Sequence, residues 1–318
     1  MVESPPFFIM KTAPILVTGH HRSGSTWVGE VLSSGQTVTY IDEPFAPFYH
    51  PGICRARARY WYQYVCAENE EIGNWRTAIA NTLQLRYDLL AETLAVRTAR
   101  DVARLIRDWR RFERGRKRTA RVLVKDPLAL FSAPWMAQRF DARVVVLLRH
   151  PGAFAHSLRR LGWEFDFRNW LEQPLLMRDL LHPWRAEIEA FHSNPGDSLD
   201  RAILVWRVIA GVACRWQQEQ TDWVFVTHEE LARSPVQQFA KLHTTLGLPF
   251  GKKEESFVLD HSNADNPVYA PRNQIHATRR ASHAVIDSWR RAFSNEEMAR
   301  LRDGIGDSVN PFYSECSW

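Results

Sequence analysis

The sequence feature that most constrains the fold is a glycine-containing loop that follows a short apolar run near the amino terminus. Residues 15–17 are Ile-Leu-Val, and residues 19–27 read Gly-His-His-Arg-Ser-Gly-Ser-Thr-Trp. Gly19 and Gly24 have the spacing of loops that cradle phosphates between a buried strand and a helix. The amide N–H groups of such a loop, and of the helix that it opens, form an anion site whatever the side chains are. The sequence therefore predicts a strand, a phosphate-binding loop and a helix, in this order.

This loop lacks the lysine that nucleoside triphosphatases need. In their Walker pattern the second glycine precedes Lys and then Ser or Thr, whereas Gly24 is followed directly by Ser25 and Thr26. The cation of the loop is Arg22, on the other side of the glycine. These residues favour a phosphate site over an ATP site. The alternative is a glycine turn that only joins a buried strand to a helix.

A second motif places another arginine at the end of a strand. Residues 144–148 are a continuous run of valine and leucine, which predicts a strand buried on both faces, and Arg149, His150 and Pro151 follow. Proline suits the first turn of a helix, and Ser157 comes about two helical turns later. Arg149 and Ser157 can therefore converge on one phosphate, to which the guanidinium presents a planar fork of donors. The alternative is that Arg149 is a surface charge.

Together the two motifs resemble those of the sulfotransferases that use 3′-phosphoadenosine 5′-phosphosulfate (PAPS). In that family a strand precedes Lys or Arg, Ser, Gly, two residues of Ser or Thr, and often Trp, and a helix follows. The residues that match this 5′-phosphosulfate loop are Arg22, Ser23, Gly24, Ser25, Thr26 and Trp27. The resemblance implies that these residues bind the phosphosulfate and that Arg149 and Ser157 bind the 3′-phosphate.

The order of the predicted elements is that of a parallel sheet with helices between its strands. We expect strands at 15–18, 38–41, 121–125, 143–148 and 223–227. We expect helices at 26–32, in much of 74–112, and at 134–140, 151–161, 199–220 and 235–246. The fold prediction is α/β, a three-layer sandwich with a central, mostly parallel sheet. We expect one domain over 1–318, with substrate-side insertions near 45–118 and 162–197.

Ligands of open parallel sheets bind beyond the carboxyl ends of the strands. The residues that the sequence places there are Gly19, Glu43, Lys125, Arg149 and His228. The insertions are rich in aromatic residues, which form either an acceptor pocket or lid, or the packing of substrate-side helices on the sheet. These aromatic residues include Tyr60, Trp61, Tyr62, Trp163, Phe165, Phe167 and Trp170.

The general base is the point at which the chain departs from the phenol and steroid sulfotransferases. Their strand ends in Lys, one residue and a catalytic His, but Lys125 here precedes Asp126 and a proline. Carbohydrate and protein-tyrosine sulfotransferases instead use a Glu after the second strand, and Glu43 resembles it. The resemblance implies that Glu43 takes the acceptor proton, while Arg22 and Lys125 stabilise charge on the leaving phosphate. Asp126 is the competing base, and a surface carboxylate is the alternative for Glu43.

Two later segments match the family more weakly. Residues 224–231 resemble the late strand that ends near the adenine, so His228 either approaches the base or caps the helix that begins at Pro235. A basic segment with Arg279 and Arg280 resembles the flexible carboxyl-terminal loop that closes over the 3′-phosphate. Its alternative is an exposed basic loop. The other residues of this match are Arg272, Ser282, Trp289 and Arg290.

Composition is compatible with this interpretation without proving it. The chain has 318 residues and a formal net charge of +5, which suits a ligand with several phosphates and equally suits a nucleic-acid binder. We expect no nucleic-acid partner, and we interpret the basic run 110–118 as a solvated helix end rather than an anion-binding surface. The cysteines, Cys54, Cys66, Cys214 and Cys316, form no Cys-x-x-Cys pair, so we expect neither zinc nor a disulfide framework.

The sequence shows no apolar run of about 18 residues that could span a membrane. Golgi members of the family carry an amino-terminal anchor, so the alternatives are a cytoplasmic protein and one whose anchor has been removed. Of the two, we expect a cytoplasmic protein.

The resemblance implies direct transfer of a sulfuryl group from PAPS to the hydroxyl or amine of an acceptor, without a metal and with 3′-phosphoadenosine 5′-phosphate (PAP) as product. The expected acceptor is a carbohydrate, glycoconjugate or small metabolite. The alternatives are a P-loop small-molecule kinase, which would bind ATP with magnesium, and an inactive PAP-binding module.

Overall fold

The computed structural model describes residues 12–118, 121–270, 277–306 and 312–313; Arg272 and Cys316 lie outside these ranges. In the described residues the strands β1 to β5 are Ile15–Gly19, Val38–Asp42, Arg121–Lys125, Arg143–Leu148 and Val224–Thr227. The helices α1 to α15 are Ser25–Ser33, Trp75–Leu83, Leu89–Ala95, Ala99–Arg118, Ala133–Phe140, Pro151–Leu161, Arg168–Leu171, Pro174–Asp179, Arg185–Ser193, Ser198–Glu219, His228–Arg233, Pro235–Leu246, Lys252–Ser262, Ser282–Asp287 and Asn295–Ile305. Short 3-10 turns lie at Pro127–Ser132, His182–Trp184 and Arg290–Ala292.

The five strands form one parallel sheet in the order β2-β3-β1-β4-β5. β1 lies at its centre, where Val17 is opposite Lys125 of β3 and Val145 of β4. All residues of β1 are buried, because helices cover both faces of the sheet. The α/β prediction, with a central parallel sheet in a three-layer sandwich, is confirmed.

Successive strand residues contribute to two different hydrophobic cores, as the period of two in a strand requires. Leu16 and Val146 belong to the core that also contains the buried residues of α6 and α10. Val17 and Leu147 belong to the opposite core, which contains those of α1 and α12. Burial of each such side chain stabilises the fold by roughly 1.5 to 3 kcal/mol. The sheet is therefore a rigid support for the loops that follow the carboxyl ends of its strands.

Close packing of β1 and β4 explains the first glycine of the loop. Gly19 has a φ of 150°, and a Cβ atom there would lie 2.0 Å from the carbonyl oxygen of Leu147. A larger residue would push the two central strands apart. Gly19 thus allows the chain to leave β1 at the carboxyl edge of the sheet, where the other strands also end.

The predicted strands agree with the structure within one residue at each end, but two other regions differ. The helical region 74–112 is divided among α2, α3 and α4. The carboxyl-terminal segment that resembles a flexible loop contains α14 and a 3-10 turn in its described residues, and Trp289 is 1% exposed. The Trp289 ring stacks on His150 with 4.4 Å between ring centroids, and this buried contact packs the segment on the turn after β4. Within the described ranges, no helix is both long and apolar enough to cross a membrane.

Candidate active site

A cleft of about 1040 Å³ opens at the carboxyl edge of the sheet, and most of the predicted site residues line it. These are Arg22, Gly24, Ser25, Thr26, Trp27, Glu43, Lys125, Arg149, Ser157, His228 and Arg280. Of the predicted residues, Ser23 and Arg279 do not line this cleft. Residues that are far apart in the chain thus meet beyond the carboxyl ends of the strands, where open parallel sheets bind their ligands.

The loop before α1 is shaped by its second glycine. Gly24 has a φ of 101°, and a Cβ atom there would lie 2.6 Å from Nδ1 of His228. Its neighbour Ser23 donates its N–H to the carbonyl oxygen of His20 at 3.1 Å, which closes the turn. α1 then begins at Ser25, so the first N–H groups of the helix face the cleft and carry the partial positive charge of a helix amino terminus.

The two arginines of the predicted motifs lie side by side. Nε of Arg22 donates to Oγ of Ser157 at 3.1 Å, and an Nη atom of Arg149 donates to the carbonyl oxygen of Arg22 at 3.4 Å. Burial and, to a smaller extent, the neighbouring charges of Arg149, Arg280 and Arg160 together lower the pKa of Arg22 to about 10. Like charges held together in a partly buried cleft favour an anionic ligand.

Arg149 is fixed through its backbone. Its N–H donates to Nε2 of His20 at 2.9 Å, and its carbonyl oxygen accepts a hydrogen bond from Nε1 of Trp206 at 2.8 Å. Burial lowers the pKa of Arg149, and the carboxylate of Glu229 opposes this shift. Within the described part of the chain, Nε of Arg149 is buried without a hydrogen-bond partner. An unsatisfied buried donor is costly, so this atom favours an anion in the cleft.

Glu229 is a buried carboxylate whose charge acts on Arg149, and its position is defined by two hydrogen bonds. It accepts from the N–H of His150 at 3.1 Å and from the hydroxyl of Tyr313 at 2.7 Å. Burial raises the pKa of Glu229. Glu229 therefore supports the turn after β4, behind Arg149.

Lys125 and two carboxylates form the opposite wall of the cleft. Nζ of Lys125 contacts Glu43, and it lies 2.6 Å from the carboxylate of Asp42. Burial alone would lower the pKa of Lys125, but the charges of Glu43 and Asp42 outweigh it and the net shift is upward. The Glu43 side chain is 24% exposed, so its carboxylate is accessible from the cleft.

The backbone holds Glu43 in an uncommon conformation. Its φ is 44°, in the left-handed region that non-glycine residues rarely adopt. Its N–H donates to the carbonyl oxygen of Lys125 at 2.9 Å, so the turn after β2 is tied to the end of β3. Such conformations persist where the surroundings enforce them, and they cluster at functional sites.

Asp126 points away from this wall. It is completely buried, and its carboxylate accepts hydrogen bonds from the N–H groups of Phe45 at 2.6 Å and Leu128 at 2.9 Å. Burial raises the pKa of Asp126 well above its usual value. Asp126 thus joins the loop after β2 to the turn after β3, and it does not line the cleft.

His228 closes the cleft beside the loop. Its ring packs edge-on against Trp27, with 5.7 Å between ring centroids, and burial lowers its pKa well below the usual value. The alternative that His228 caps the helix at Pro235 is wrong, because Ser234 is the N-cap residue there. His228 instead begins α11, whose N-cap is Thr227.

The two predicted carboxyl-terminal arginines have different surroundings. Arg280 lines the cleft, and burial lowers its pKa to about 10, helped by the charges of Arg160 and Arg149. Arg279 is 63% exposed and pairs with Asp260 at 2.8 Å. Of these two adjacent residues, only Arg280 therefore lines the cleft.

The sequence did not single out several residues that the fold brings to the cleft. Arg160 and His156 lie on α6, one helical turn from each other, and both line it. In the described structure neither ring nitrogen of His156 has a hydrogen-bond partner, although both are buried. His21 lines the cleft as well, with Nδ1 at 2.7 Å from the Tyr62 hydroxyl. The helical spacing from Ser157 could have indicated Arg160, but nothing indicated His156 or His21.

The aromatic residues of the insertions lie partly in the cleft and partly in the hydrophobic core. Trp61 and Trp163 line the cleft, perpendicular to one another with 6.0 Å between ring centroids, and Phe165 lies beside them. Tyr62 and Trp170 are completely buried in the core. The described residues contain no group of three or more His, Cys, Asp or Glu that could hold a metal ion.

The chain is similar to several solved structures of low sequence identity. Comparison with curated proteins gives no match. Among solved structures, the chain is similar to a sulfotransferase domain from the curacin biosynthetic pathway, with 14% identity, a TM-score of 0.46, and coverage of 91% of this chain and 95% of that one. It is also similar to the sulfotransferase domain of the Synechococcus PCC 7002 olefin synthase, with 15% identity, a TM-score of 0.44 and coverage of 91% and 93%. A third similar structure is a mouse sulfotransferase complexed with PAP, with 13% identity, a TM-score of 0.42, and coverage of 96% of this chain and 86% of that one.

These identities and TM-scores are low, so the assignment depends on the sequence of the chain as a whole. Residues 14–252, three quarters of the chain, match the sulfotransferase family. The matched range contains the loop before α1, both arginines of the predicted motifs and the Lys125 wall. The chain is therefore a member of the sulfotransferase family and a sulfotransferase enzyme.

Proposed function

We propose that the enzyme uses PAPS and transfers its sulfuryl group to a hydroxyl group of a carbohydrate or glycoconjugate. The observation that carries the nucleotide assignment is the cluster of Arg22, Arg149, Arg160 and Arg280 around one cleft. Arg160 and Arg280 donate to backbone carbonyl oxygens of Ala270 and Ala277. A ligand with phosphate groups at both ends of an adenosine supplies the negative charge that this cluster favours.

The residues fit a ligand with two separate anionic groups. The loop amides, the amino terminus of α1 and Arg22 would hold the 5′-phosphosulfate. Arg149, Ser157 and Arg280 would hold the 3′-phosphate, where the unsatisfied Nε atom of Arg149 would find a partner. His228 and Trp27 lie on the side of the loop where the adenine would pack. Arg279, which is exposed and paired with Asp260, has no part in this assignment.

When bound, PAPS would supply the sulfuryl group, and the leaving group would be PAP, whose 5′-phosphate oxygen bears the negative charge that develops. Lys125 and Arg22 both line the cleft and would stabilise this charge. Glu43 is an accessible carboxylate and would accept the proton of the attacking hydroxyl. Lys125 holds the Glu43 carboxylate at one position, so the base is oriented before the acceptor binds.

The acceptor assignment is supported by the aromatic and acidic residues that line the cleft. Trp61 and Trp163 offer flat apolar surfaces on which the C–H faces of a sugar can pack, while Asp42 offers a carboxylate for its hydroxyl groups. Apolar and aromatic walls with a few convergent polar groups are typical of small-molecule sites. A lipid or a small metabolite with a hydroxyl group is the next acceptor class to test.

Thermal unfolding with nucleotides tests the nucleotide assignment. We expect PAP to raise the unfolding temperature more than ADP does, without magnesium. A ligand at about 100 times its Kd adds about 2.7 kcal/mol to the free energy of unfolding. Equal shifts with PAP and ADP, or a need for magnesium, would favour the kinase alternative and contradict the proposal.

Transfer of labelled sulfate from PAPS tests the reaction itself. The acceptor panel should contain glycans, glycolipids and phenols, with Glu43→Gln enzyme as the negative control. Labelled glycan is the expected product. PAP binding without transfer to any acceptor would favour an inactive binding module, and transfer to phenols alone would contradict the acceptor assignment.

A further inference from the structure

Exposed apolar side chains are concentrated on one pair of helices. In the described part of the chain, eleven large hydrophobic residues are exposed, and six of them lie on α3 and α4. They are Leu89, Leu90, Leu94, Val102, Ile106 and Trp109. Scattered exposed hydrophobic residues are common, but a concentration on one element indicates a surface that another molecule covers.

The spacing of these residues forms a stripe on each helix. On α4, Val102, Ile106 and Trp109 are four and three residues apart, which places them on one face. On α3, Leu90 and Leu94 are four residues apart and are 72% and 70% exposed. The two helices pack against each other, and Arg104 of α4 pairs with the buried Glu92 of α3. We call the exposed residues of this helix pair, together with the basic residues of α4, the α3–α4 surface.

Helix α4 is also the most basic element of the chain. It contains nine basic and three acidic residues, a charge of +6, whereas the whole chain has a formal charge of +5. Arg110, Arg114 and Lys117 are exposed. The positive charge of the protein is therefore concentrated beside its exposed apolar stripe.

This combination restricts what can cover the surface. A second copy of the chain would bring the same positive charge against it, which disfavours self-association through this face. A nucleic acid would match the charge but would leave the leucine and tryptophan side chains without an apolar partner. An anionic lipid surface satisfies both, because the apolar stripe enters the acyl boundary while arginine and lysine contact the headgroups. We propose that the α3–α4 surface docks the enzyme on an anionic lipid bilayer, in place of the solvated helix end that the sequence favoured for residues 110–118.

Docking at this surface would place the cleft next to the membrane. Arg107 and Arg111 belong to α4 and line the cleft near Glu43. The exposed Phe48 lines the cleft as well. A docked enzyme would thus present the acceptor end of its cleft at the lipid surface. The docking proposal itself does not depend on which acceptor or nucleotide the enzyme uses.

Vesicle sedimentation tests the proposal with the full chain and no nucleotide. The probes are vesicles of phosphatidylcholine alone and of phosphatidylcholine and phosphatidylserine in equal parts. We expect binding to the anionic vesicles only, weakened by added salt. Leu90→Glu with Leu94→Glu should abolish binding, and Arg110→Glu with Arg114→Glu should weaken it by at least about tenfold.

Matched controls separate this surface from general effects. Leu259→Glu changes a leucine that is 54% exposed on α13, and Lys252→Glu with Lys253→Glu reverses two exposed charges on the same helix. These variants should bind anionic vesicles like the wild type, and all variants should keep the wild-type unfolding temperature. Equal loss in the controls, or full binding by the α3–α4 variants, would overturn the proposal. If the wild type does not bind vesicles, two other results would also overturn the proposal. One is a dimer that the leucine substitutions disrupt, and the other is binding to duplex nucleic acid.

Discussion

Nε of Arg22 donates a hydrogen bond to Oγ of Ser157 at 3.1 Å, although 135 positions separate the two residues in the chain. Arg22 belongs to the loop after β1, and Ser157 belongs to the helix after β4. Since β1 and β4 are adjacent and parallel, their carboxyl ends bring both motifs to the same place. In the proposed function this contact joins the 5′-phosphosulfate and 3′-phosphate sites, so the geometry of one depends on the other.

Substitution of Arg149 should separate these two phosphate sites. We expect Arg149→Ala to weaken PAP binding by roughly 2 to 5 kcal/mol, as when one partner of a buried charged pair is removed. Adenosine 5′-phosphosulfate lacks the 3′-phosphate, so its affinity should change far less. Calorimetric titration of both ligands measures the difference, and an equal loss for the two would show that Arg149 acts only on the structure of the site.

The pair Arg279 and Arg280 offers a matched comparison in adjacent positions. Arg280→Ala should weaken PAP binding by about 1.5 to 3 kcal/mol, the usual value of a hydrogen bond to a charged group. Arg279→Ala should leave the affinity unchanged, because its partner is the exposed Asp260. Fluorescence titration with PAP measures the affinity of both variants. A loss of affinity in Arg279→Ala but not in Arg280→Ala would contradict this prediction.

The sequence predicted the sheet and the residues next to its strand ends because both depend on local patterns. A buried parallel strand is a run of apolar residues. Lys125 ends such a strand, Glu43 and Arg149 directly follow one, and Arg22 lies in the loop after β1. Contacts that depend on side-chain direction were not predictable in this way. Arg279 and Arg280 are equivalent in the sequence, and only the packing of residues 277–281 shows which one enters the cleft. Likewise, both Glu43 and Asp126 follow a strand in the sequence, and only the burial and hydrogen bonds of the folded protein show that Glu43 lines the cleft and Asp126 does not.

Buried histidines around the loop should make the fold sensitive to acid. Burial lowers the pKa of His20 to about 4 and those of His21 and His228 well below the usual value of 6.5. Between pH 6.5 and 4 the unfolded chain binds protons that the folded protein does not. The stabilisation is therefore complete above pH 6.5 and is lost as the pH falls, by up to about 1.4 kcal/mol per pH unit for each histidine.

Urea unfolding between pH 7.5 and 4.5 measures this dependence, and His20→Gln provides the comparison. Glutamine keeps a donor and an acceptor but does not titrate, so the variant should lose less stability on acidification than the wild type. The raised pKa values of Asp126 and Glu229 act in the opposite direction in both proteins. Identical pH profiles for the two proteins would contradict a neutral, buried His20.

The second glycine of the loop should not tolerate a side chain. Gly24→Ala would place a Cβ atom 2.6 Å from Nδ1 of His228 and force alanine to a φ of 101°. We expect a loss of roughly 1 to 3 kcal/mol of stability, together with weaker PAP binding, because the loop must shift. Gly247→Ala is the control, since that glycine also has a positive φ but a Cβ there meets nothing within 4 Å. Thermal unfolding and PAP titration of both variants would show whether the contact with His228, beyond backbone strain, shapes the site.

The choice of general base can be tested with three carboxylates that differ in position. Glu43 contacts Lys125 and is accessible from the cleft, Asp42 contacts the same lysine but is 52% exposed, and Asp126 is buried behind the wall. A base acts in the transition state, so Glu43→Gln should lower kcat by about 10² to 10⁴ and keep the affinity for PAP. Asp42→Asn should have a smaller effect on kcat, because it leaves Glu43 in place.

Asp126→Asn should instead lower stability, because an amide cannot accept both backbone hydrogen bonds of Phe45 and Leu128 as a carboxylate does. Single-turnover transfer from PAPS, PAP titration and urea unfolding of all three variants distinguish the base from a structural carboxylate. If Glu43→Gln turns over normally while Asp42→Asn does not, the proton goes to Asp42. If only Asp126→Asn loses turnover with its stability intact, the buried carboxylate takes part in the reaction, and the assignment of Glu43 fails.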